Sequence, residues 1–202
     1  LPLACLLAKS GHKVTGIDIS SEKVNMINRS QSPFHEPGLD EVLNEALEAK
    51  FEASTELKSS DVYLIAVPTP EKDHKCDLGY VMSAVESISK VAKDGQLVLL
   101  ESTVKPNTCK DHLQKHFKNI GLNLEIAFTP ERAFPGNTLH ELVFNDRVVG
   151  GLTPRATELA REVYASFVKG EIFQTTATCA ESVKLFENTF RDVNIALANE
   201  FE

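Results

Sequence analysis

Two apolar patterns alternate along this chain. Short continuous runs such as "VYLIAV", "LVLL" and "EIAF" read as buried strands, whereas "LDEVLNEALEAK", "LGYVMSAVESISKVAKDG" and "TPRATELAREVYASFV" carry apolar positions three and four apart and read as amphipathic helices. In order, the pattern predicts a helix over about 2–10, a strand in "HKVTGIDIS", a helix starting after Ser20 or Ser21, and a turn and helix in "FHEPGLDEVLNEALEAK". A short strand "FEAST" and a strand "DVYLIAVPTP", which runs into a Pro-rich loop, come next, then a helix closed by Gly95. The strand "QLVLLEST", a helix in "NTCKDHLQKHFKN", and the strands "LEIAFTPE" and "RVVGG" continue the alternation. Thr153 is placed to N-cap the next helix, with Pro154 in its first turn, and the strand "EIFQTT" leads to a final helix from about Cys179.

Strands alternating with helices predict an α/β fold with a doubly wound, mostly parallel sheet covered on both faces. No repeat or linker stands out before residue 178, so the expected organisation is one domain over 1–178 and a helix leading out of it over 179–202. That helix has an unusual surface. Glu181, Lys184, Asn188 and Arg191 form one polar stripe at helical spacing, beside an apolar stripe of Phe186, Phe190, Val193 and Leu197. The polar stripe is either a solvated face or the wall of a site.

Composition narrows the partners. Among 202 residues, 42% are hydrophobic and 25% charged, which suits an ordinary globular domain, and the net charge of −8 argues against nucleic acid or an anionic membrane as a partner. Cys5, Cys76, Cys109 and Cys179 are far apart with no CxxC pair, a pattern expected of free thiols in a reducing cytoplasm. The opening "LPLACLLAKSG" is too short to span a bilayer and has no basic flank, so it reads as a helix stopped by Gly11.

In doubly wound sheets, ligands bind beyond the carboxyl ends of the strands. Asp18, "VPTP", "EST" and "TPER" all fall at such ends. Asp18 suits an acid that accepts hydrogen bonds from ribose hydroxyls of a dinucleotide, or a turn Asp, and Lys23 is either a second ribose contact or a solvated helix lysine. Glu131 suits a general base or an exposed loop carboxylate, and Thr103 orients a water or substrate or else caps the following helix. Lys184 and Asn188, one turn apart, can both donate to one oxyanion. Glu181 reads as structural, through an i,i+3 pairing with Lys184, and Arg191 as a weaker substrate contact. His112 and His116 have metal-ligand spacing without a third ligand, so they read as surface histidines and no metal is expected. Cys179 is read as a small first-turn residue rather than a nucleophile.

Seven segments in order, "GHKVTGIDI", "SPFHEPGLDEVL", "DVYLIAVPTP", "LVLLESTVKP", "TPERAFPGN", "DRVVGG" and "AESVKLFENTFRDVNIALANE", resemble the UDP-glucose/GDP-mannose dehydrogenase family over nearly the whole chain. "PERAFPGN" and "ENTFRDVNIALANE" are most similar to the branch acting on UDP-N-acetylhexosamines such as UDP-N-acetylmannosamine. The resemblance implies a Rossmann-like NAD-binding domain followed by the start of a connecting helix that helps form a homodimer. It implies oxidation of the C6 alcohol of a UDP-sugar to a carboxylate in two NAD-linked steps, through a thioester on a cysteine, for polysaccharide precursors in the cytoplasm. By the same resemblance Asp18 and Lys23 hold the adenosine ribose, and Thr69 and Thr103 lie beside NAD, with Thr103 also placing the catalytic water. Glu131 is then the acid/base for thioester hydrolysis, and Lys184 and Asn188 stabilise the oxyanion at C6.

Three departures from the family pattern carry expectations. Pro135 stands where the UDP-glucose branch commonly has a second Glu, leaving Glu131 alone, and Asn107 stands where Gly is usual in the family, with little effect expected from a residue that tolerates left-handed backbone. The family's first strand and Gly-rich loop precede the position of Leu1, and its catalytic Cys lies beyond Glu202. The chain is therefore expected to be an internal piece, inactive alone, whose sheet lacks its central first strand. Two other functions fit the fold class: a non-catalytic nucleotide-binding or assembly module, and a hydroxy-acid dehydrogenase.

Overall fold

A computed structural model describes all residues from Leu1 to Glu202, and packing groups them into two compact units. The first comprises residues 1–58, 132–146 and 162–171, and the second residues 59–131, 147–161 and 172–202.

In the first unit, helix α1 (Pro2–Lys9) leads to strand β1 (Val14–Ile17), α2 (Ser21–Asn28), α3 (Leu39–Ala49) and β2 (Phe51–Ser54). β1 and β2 pair in parallel, Val14 opposite Phe51. The stretch "LDEVLNEALEA" buries Leu39, Leu43 and Ala46, and a core forms from Leu43 and Ala46 with Cys5, Ala8, Val24, Ile27, Phe51 and Ala53. Ser20 caps α2 by accepting the Lys23 N–H, so the predicted start of that helix holds.

In the second unit, β3 (Val62–Ile65) is followed by a small hairpin of β4 (Glu71–Lys72) and β5 (Lys75–Cys76) that the apolar pattern does not signal. Its turn places Asp73 and His74 both at positive φ, and β4 and β5 are exposed, so there was no apolar alternation to detect. Then come α4 (Gly79–Ser89), β6 (Leu97–Leu100), a π-helical segment (Cys109–Gln114) running into α5 (Lys115–Asn119), and β7 (Glu125–Phe128). Back in the first unit, α6 (Thr138–Phe144) is a second element the pattern missed. No side chain of its own caps it; the buried Glu36 carboxylate, 102 residues earlier, takes the Thr138 N–H at 2.8 Å and the Gly136 N–H at 3.0 Å. Those two backbone donors hold Glu36 below the usual carboxylate range.

The chain continues through β8 (Arg147–Gly151), α7 (Pro154–Ala165), β9 (Ile172–Thr176) and α8 (Ala177–Phe201). Thr153 accepts the Ala156 N–H at 2.9 Å and Pro154 opens α7, as expected. The five-stranded sheet has the order β3-β6-β7-β8-β9, separate from the β1-β2 ladder. All its pairings are parallel except β7 with β8. Leu97, Val98, Leu99 and Leu100 of β6 are all buried, which requires cover on both faces of the sheet.

Candidate functional site

The parallel run of β3, β6 and β7 aligns their carboxyl ends, and ladder bonds extend past the strands: Glu101 N–H to Ile65 carbonyl at 2.9 Å, and Thr129 N–H to Leu100 carbonyl at 3.0 Å. The loops that follow are fastened together. Ser102 Oγ donates to the Val67 carbonyl at 2.7 Å and accepts the Val67 N–H at 3.0 Å, and Thr69 Oγ1 donates to the Thr103 carbonyl at 2.8 Å. The two sequence-predicted threonines are therefore in direct contact.

β8 runs against β7, so its first residue, Arg147, arrives at the same edge as the ends of β6 and β7. Its guanidinium contacts Glu101 at 3.6 Å and Glu131 at 3.7 Å, with the Arg147 and Glu101 side chains only 6% and 5% exposed and that of Glu131 36% exposed. These are charge contacts longer than a hydrogen bond. Sequence reading missed Arg147 and Glu101. The available signal was a charge opening the short apolar strand "RVVGG", since a buried arginine needs an acid beside it.

β9 parallels β8, so α8 leaves the opposite edge and climbs back along the sheet. The close fit comes from Gly150, where a Cβ would lie 2.3 Å from the Thr176 carbonyl oxygen and 2.8 Å from the Ala180 Cβ. At about 1.5 Å of rise per residue, Lys184 is about 10 Å up the helix. There its Nζ donates to the Glu131 backbone carbonyl, joining two predicted site residues 53 positions apart. Asn188, one turn further, is half-buried, and Arg191 is exposed.

α8 is thus amphipathic in reverse. Glu181 is fully buried and Lys184 and Asn188 half-buried, while Phe186 and Phe190 on the apolar stripe are 72% and 74% exposed. Glu181 is structural in a way the sequence did not suggest: its carboxylate accepts the Asn107 N–H at 2.6 Å and the Cys109 N–H at 2.8 Å, capping the segment after β6. That removes the capping alternative for Thr103. Burial raises the Glu181 carboxyl above its ordinary value, outweighing the two N–H bonds that lower it. Beside it, burial first and then Glu181 push the Cys109 thiol up as well, making it a poor nucleophile at neutral pH. Asn107 adopts φ of 70°, as expected of a Gly replacement, and its side chain also accepts a hydrogen bond from Thr178 at 2.8 Å. His116 is half-buried and lies 3.1 Å from Ser89 Oγ, so it is not the surface residue expected. Cys179 is exposed in the first turn of α8, its N–H capped by Thr176.

In the first unit, Asp18 follows β1 and remains partly exposed. Oδ1 accepts the Ser20 N–H at 2.8 Å and Oδ2 lies 3.9 Å from Lys23 Nζ, so the two sequence-predicted ribose contacts are neighbours. An accessible carboxylate at a strand end, steadied by a backbone N–H, fits the vicinal hydroxyls of a ribose.

A sequence model of the UDP-glucose/GDP-mannose dehydrogenase family, NAD binding domain, matches residues 1–168. The chain belongs to the UDP-glucose/GDP-mannose dehydrogenase family. NAD is accordingly the cofactor of this domain. The UDP-N-acetyl-D-mannosamine dehydrogenase of Methanococcus aeolicus is 47% identical over 206 residues, covering 100% of this chain and 47% of the relative. Among solved structures, the UDP-D-ManNAc dehydrogenase of Pyrococcus horikoshii matches with a TM-score of 0.95 at 43% identity, covering 99% of this chain and 50% of that one. The UDP-N-acetyl-mannosamine dehydrogenase Cap5O of Staphylococcus aureus gives a TM-score of 0.93 at 42% identity, over 99% of this chain and 50% of that one. The chain spans about half the length of these relatives of the UDP-glucose/GDP-mannose dehydrogenase family. No helix is long and apolar enough to cross a membrane.

If Asp18 holds the ribose as the resemblance implies, Asp18→Ala is expected to weaken NAD binding by about tenfold, the loss of one to two hydrogen bonds at roughly 1 kcal/mol each. Titration of the full-length protein with NAD, followed by calorimetry, measures it; an unchanged Kd would remove Asp18 from the ribose site.

Proposed function

We propose that this chain is the cofactor-binding half of an NAD-dependent nucleotide-sugar 6-dehydrogenase that oxidises the C6 alcohol of a UDP-N-acetylhexosamine to a uronate in two steps. The observation that carries the reading is the meeting of Lys184 with Glu131 at the carboxyl edge of the sheet, the edge where the Thr69–Thr103 contact also lies. The names of the relatives support a nucleotide sugar rather than a hydroxy acid. They also support an enzyme over a non-catalytic module.

In this reading residues 1–178 form the NAD-binding domain, and 179–202 begin a connecting helix whose exposed Phe186, Phe190 and Phe201 suit a homodimer interface in the full-length protein. NAD, when bound, would supply the acceptor for the hydride leaving C6, with the hydroxyl proton released to solvent. Asp18 and Lys23 hold its adenosine ribose, while Thr69 and Thr103 line its site. Lys184 and Asn188 donate to the oxygen on C6 as negative charge develops there, and Arg191 contacts the substrate. In the hydrolytic step Thr103 places a water. Its oxygen bonds to the thioester carbon, its proton passes to Glu131, and the carbon–sulfur bond breaks with release of the cysteine thiolate. The product serves polysaccharide precursor synthesis in the cytoplasm.

The full-length protein supplied with UDP-N-acetylmannosamine should form about two NADH per sugar, as the two-step oxidation of alcohol to carboxylate requires. A yield of one, with an aldehyde product, would contradict the two-step assignment.

A further inference from the structure

We propose that Arg147 is a positioning residue for Glu131, fixing its carboxylate for the hydrolytic step, and that Glu101 is the anchor that fixes Arg147. The inference rests on Glu131 acting as the acid/base.

The geometry is that of a charge relay in space rather than of a surface ion pair. Arg147 opens β8, its backbone set by pairing with Ile172 of β9. Its side chain is enclosed, so it cannot swing to solvent, and on one side it meets Glu101, itself buried and tied to the sheet by its N–H bond to Ile65. A guanidinium is planar and permanently charged, so enclosure beside the buried Glu101 carboxylate restricts where it can lie. The other side of that guanidinium lies 3.7 Å from Oε2 of Glu131, the most exposed carboxylate of the three-member cluster. Glu131 is thereby held at two points, its carboxylate by Arg147 and its backbone carbonyl by Lys184.

One cation shared by two carboxylates is more than Glu101 needs for its own burial. An acid that must take a proton from a water held elsewhere benefits from a fixed rotamer, since misplacement of a general base by about 1 Å costs orders of magnitude in rate. Antiparallel β8 is what makes the arrangement possible, because a parallel strand here would deliver its carboxyl end, Gly151, to this edge.

The test uses the full-length protein with NAD and UDP-N-acetylmannosamine. Glu131→Gln is the reference: kcat is expected to fall by about 100-fold or more, and denatured enzyme from a quenched reaction should carry the mass of an acyl-sugar adduct. Arg147→Met is combined with Glu101→Gln so that no buried carboxylate is left without its cation. This pair is expected to keep its melting temperature near wild type and KM within about twofold, to lose about tenfold or more in kcat, and to accumulate the same adduct. Arg147→Lys, which keeps the charge but not the fork, should recover part of the lost kcat. If the paired variant is folded and turns over at the wild-type rate, the positioning role is overturned while the Glu131 assignment stands. If Glu131→Gln itself is fully active, the Glu131 assignment falls, and this inference with it. Should the paired variant not fold, Arg147→Lys decides: reduced kcat at unchanged KM supports the role, and wild-type kcat overturns it.

Discussion

Lys184→Ala in the full-length enzyme is expected to reduce NADH formation by roughly 10²–10³-fold, the usual effect of removing one donor from an oxyanion site. The fold should survive, because the Lys184 side chain is only half-buried and the Gly150 contact and the two N–H bonds to Glu181 still clamp the root of α8 when the Lys184 bond is lost. The substitution removes two things at once: an ammonium at the carboxyl edge and the hydrogen bond to the Glu131 carbonyl. Asn188→Ala separates them, since it takes away the second proposed donor without touching Glu131's backbone. Its expected loss is smaller, about tenfold to 100-fold in kcat. Steady-state kinetics with UDP-N-acetylmannosamine, with circular dichroism as the control for folding, measure both. Near-normal turnover in folded Lys184→Ala would remove the active-site assignment of the α8 stripe.

The second large effect concerns stability. Replacing Glu181 by Ala leaves the Asn107 and Cys109 N–H groups without their acceptor and opens a cavity behind α8, a combination expected to cost about 3–5 kcal/mol. Glu181→Gln should cost less, about 1–3 kcal/mol, because one of the two N–H donors then faces an amide NH2. The pH dependence separates charge from geometry. The folded-state pKa of Glu181 is raised, so the fold binds its proton more tightly than the unfolded chain does. The stabilisation this gives is complete below the ordinary carboxylate pKa and is lost as pH rises through the folded value. Glu181→Gln has no such titration, so its deficit relative to wild type should be greatest at and below the ordinary carboxylate range and narrow as pH rises through the folded value. Urea melts of both proteins across that range provide the comparison, and a deficit that grows with pH would show that the two N–H bonds, not burial, govern the carboxyl.

The sequence made the regular elements legible because buried strands and amphipathic helices impose their periods on it. The runs "VYLIAV", "LVLL" and "EIAF" became β3, β6 and β7, and the Thr153–Pro154 cap opened α7 where expected. Elements stabilised from outside their own stretch were not legible. α6 takes its cap from Glu36, 102 residues away, and the start of the π-helical segment takes its cap from Glu181, more than 70 residues later. The same limit applies to the site. Lys184 and Glu131 carry types and spacings that suggest chemistry, whereas Arg147 and Glu101 gain meaning only from the reversal of β8, which no local pattern encodes. Glu181 was read as a surface partner for Lys184 because helical spacing reports neighbours on one helix and says nothing of what faces them.

The reversed amphipathicity of α8 divides the helix into a root and a free length. The root, from Ala177 to about Lys184, is clamped by Gly150, by the two N–H bonds to Glu181 and by the Glu131 carbonyl. From Thr189 to the end every residue is exposed, and a helix of that length has little helical order of its own in water. Asn188 stands at the boundary, one turn beyond the last clamp. A partner that covered the outer apolar stripe would therefore do more than hide it: it would extend the rigid root past Asn188 and so set how steadily the second proposed donor is held beside the first.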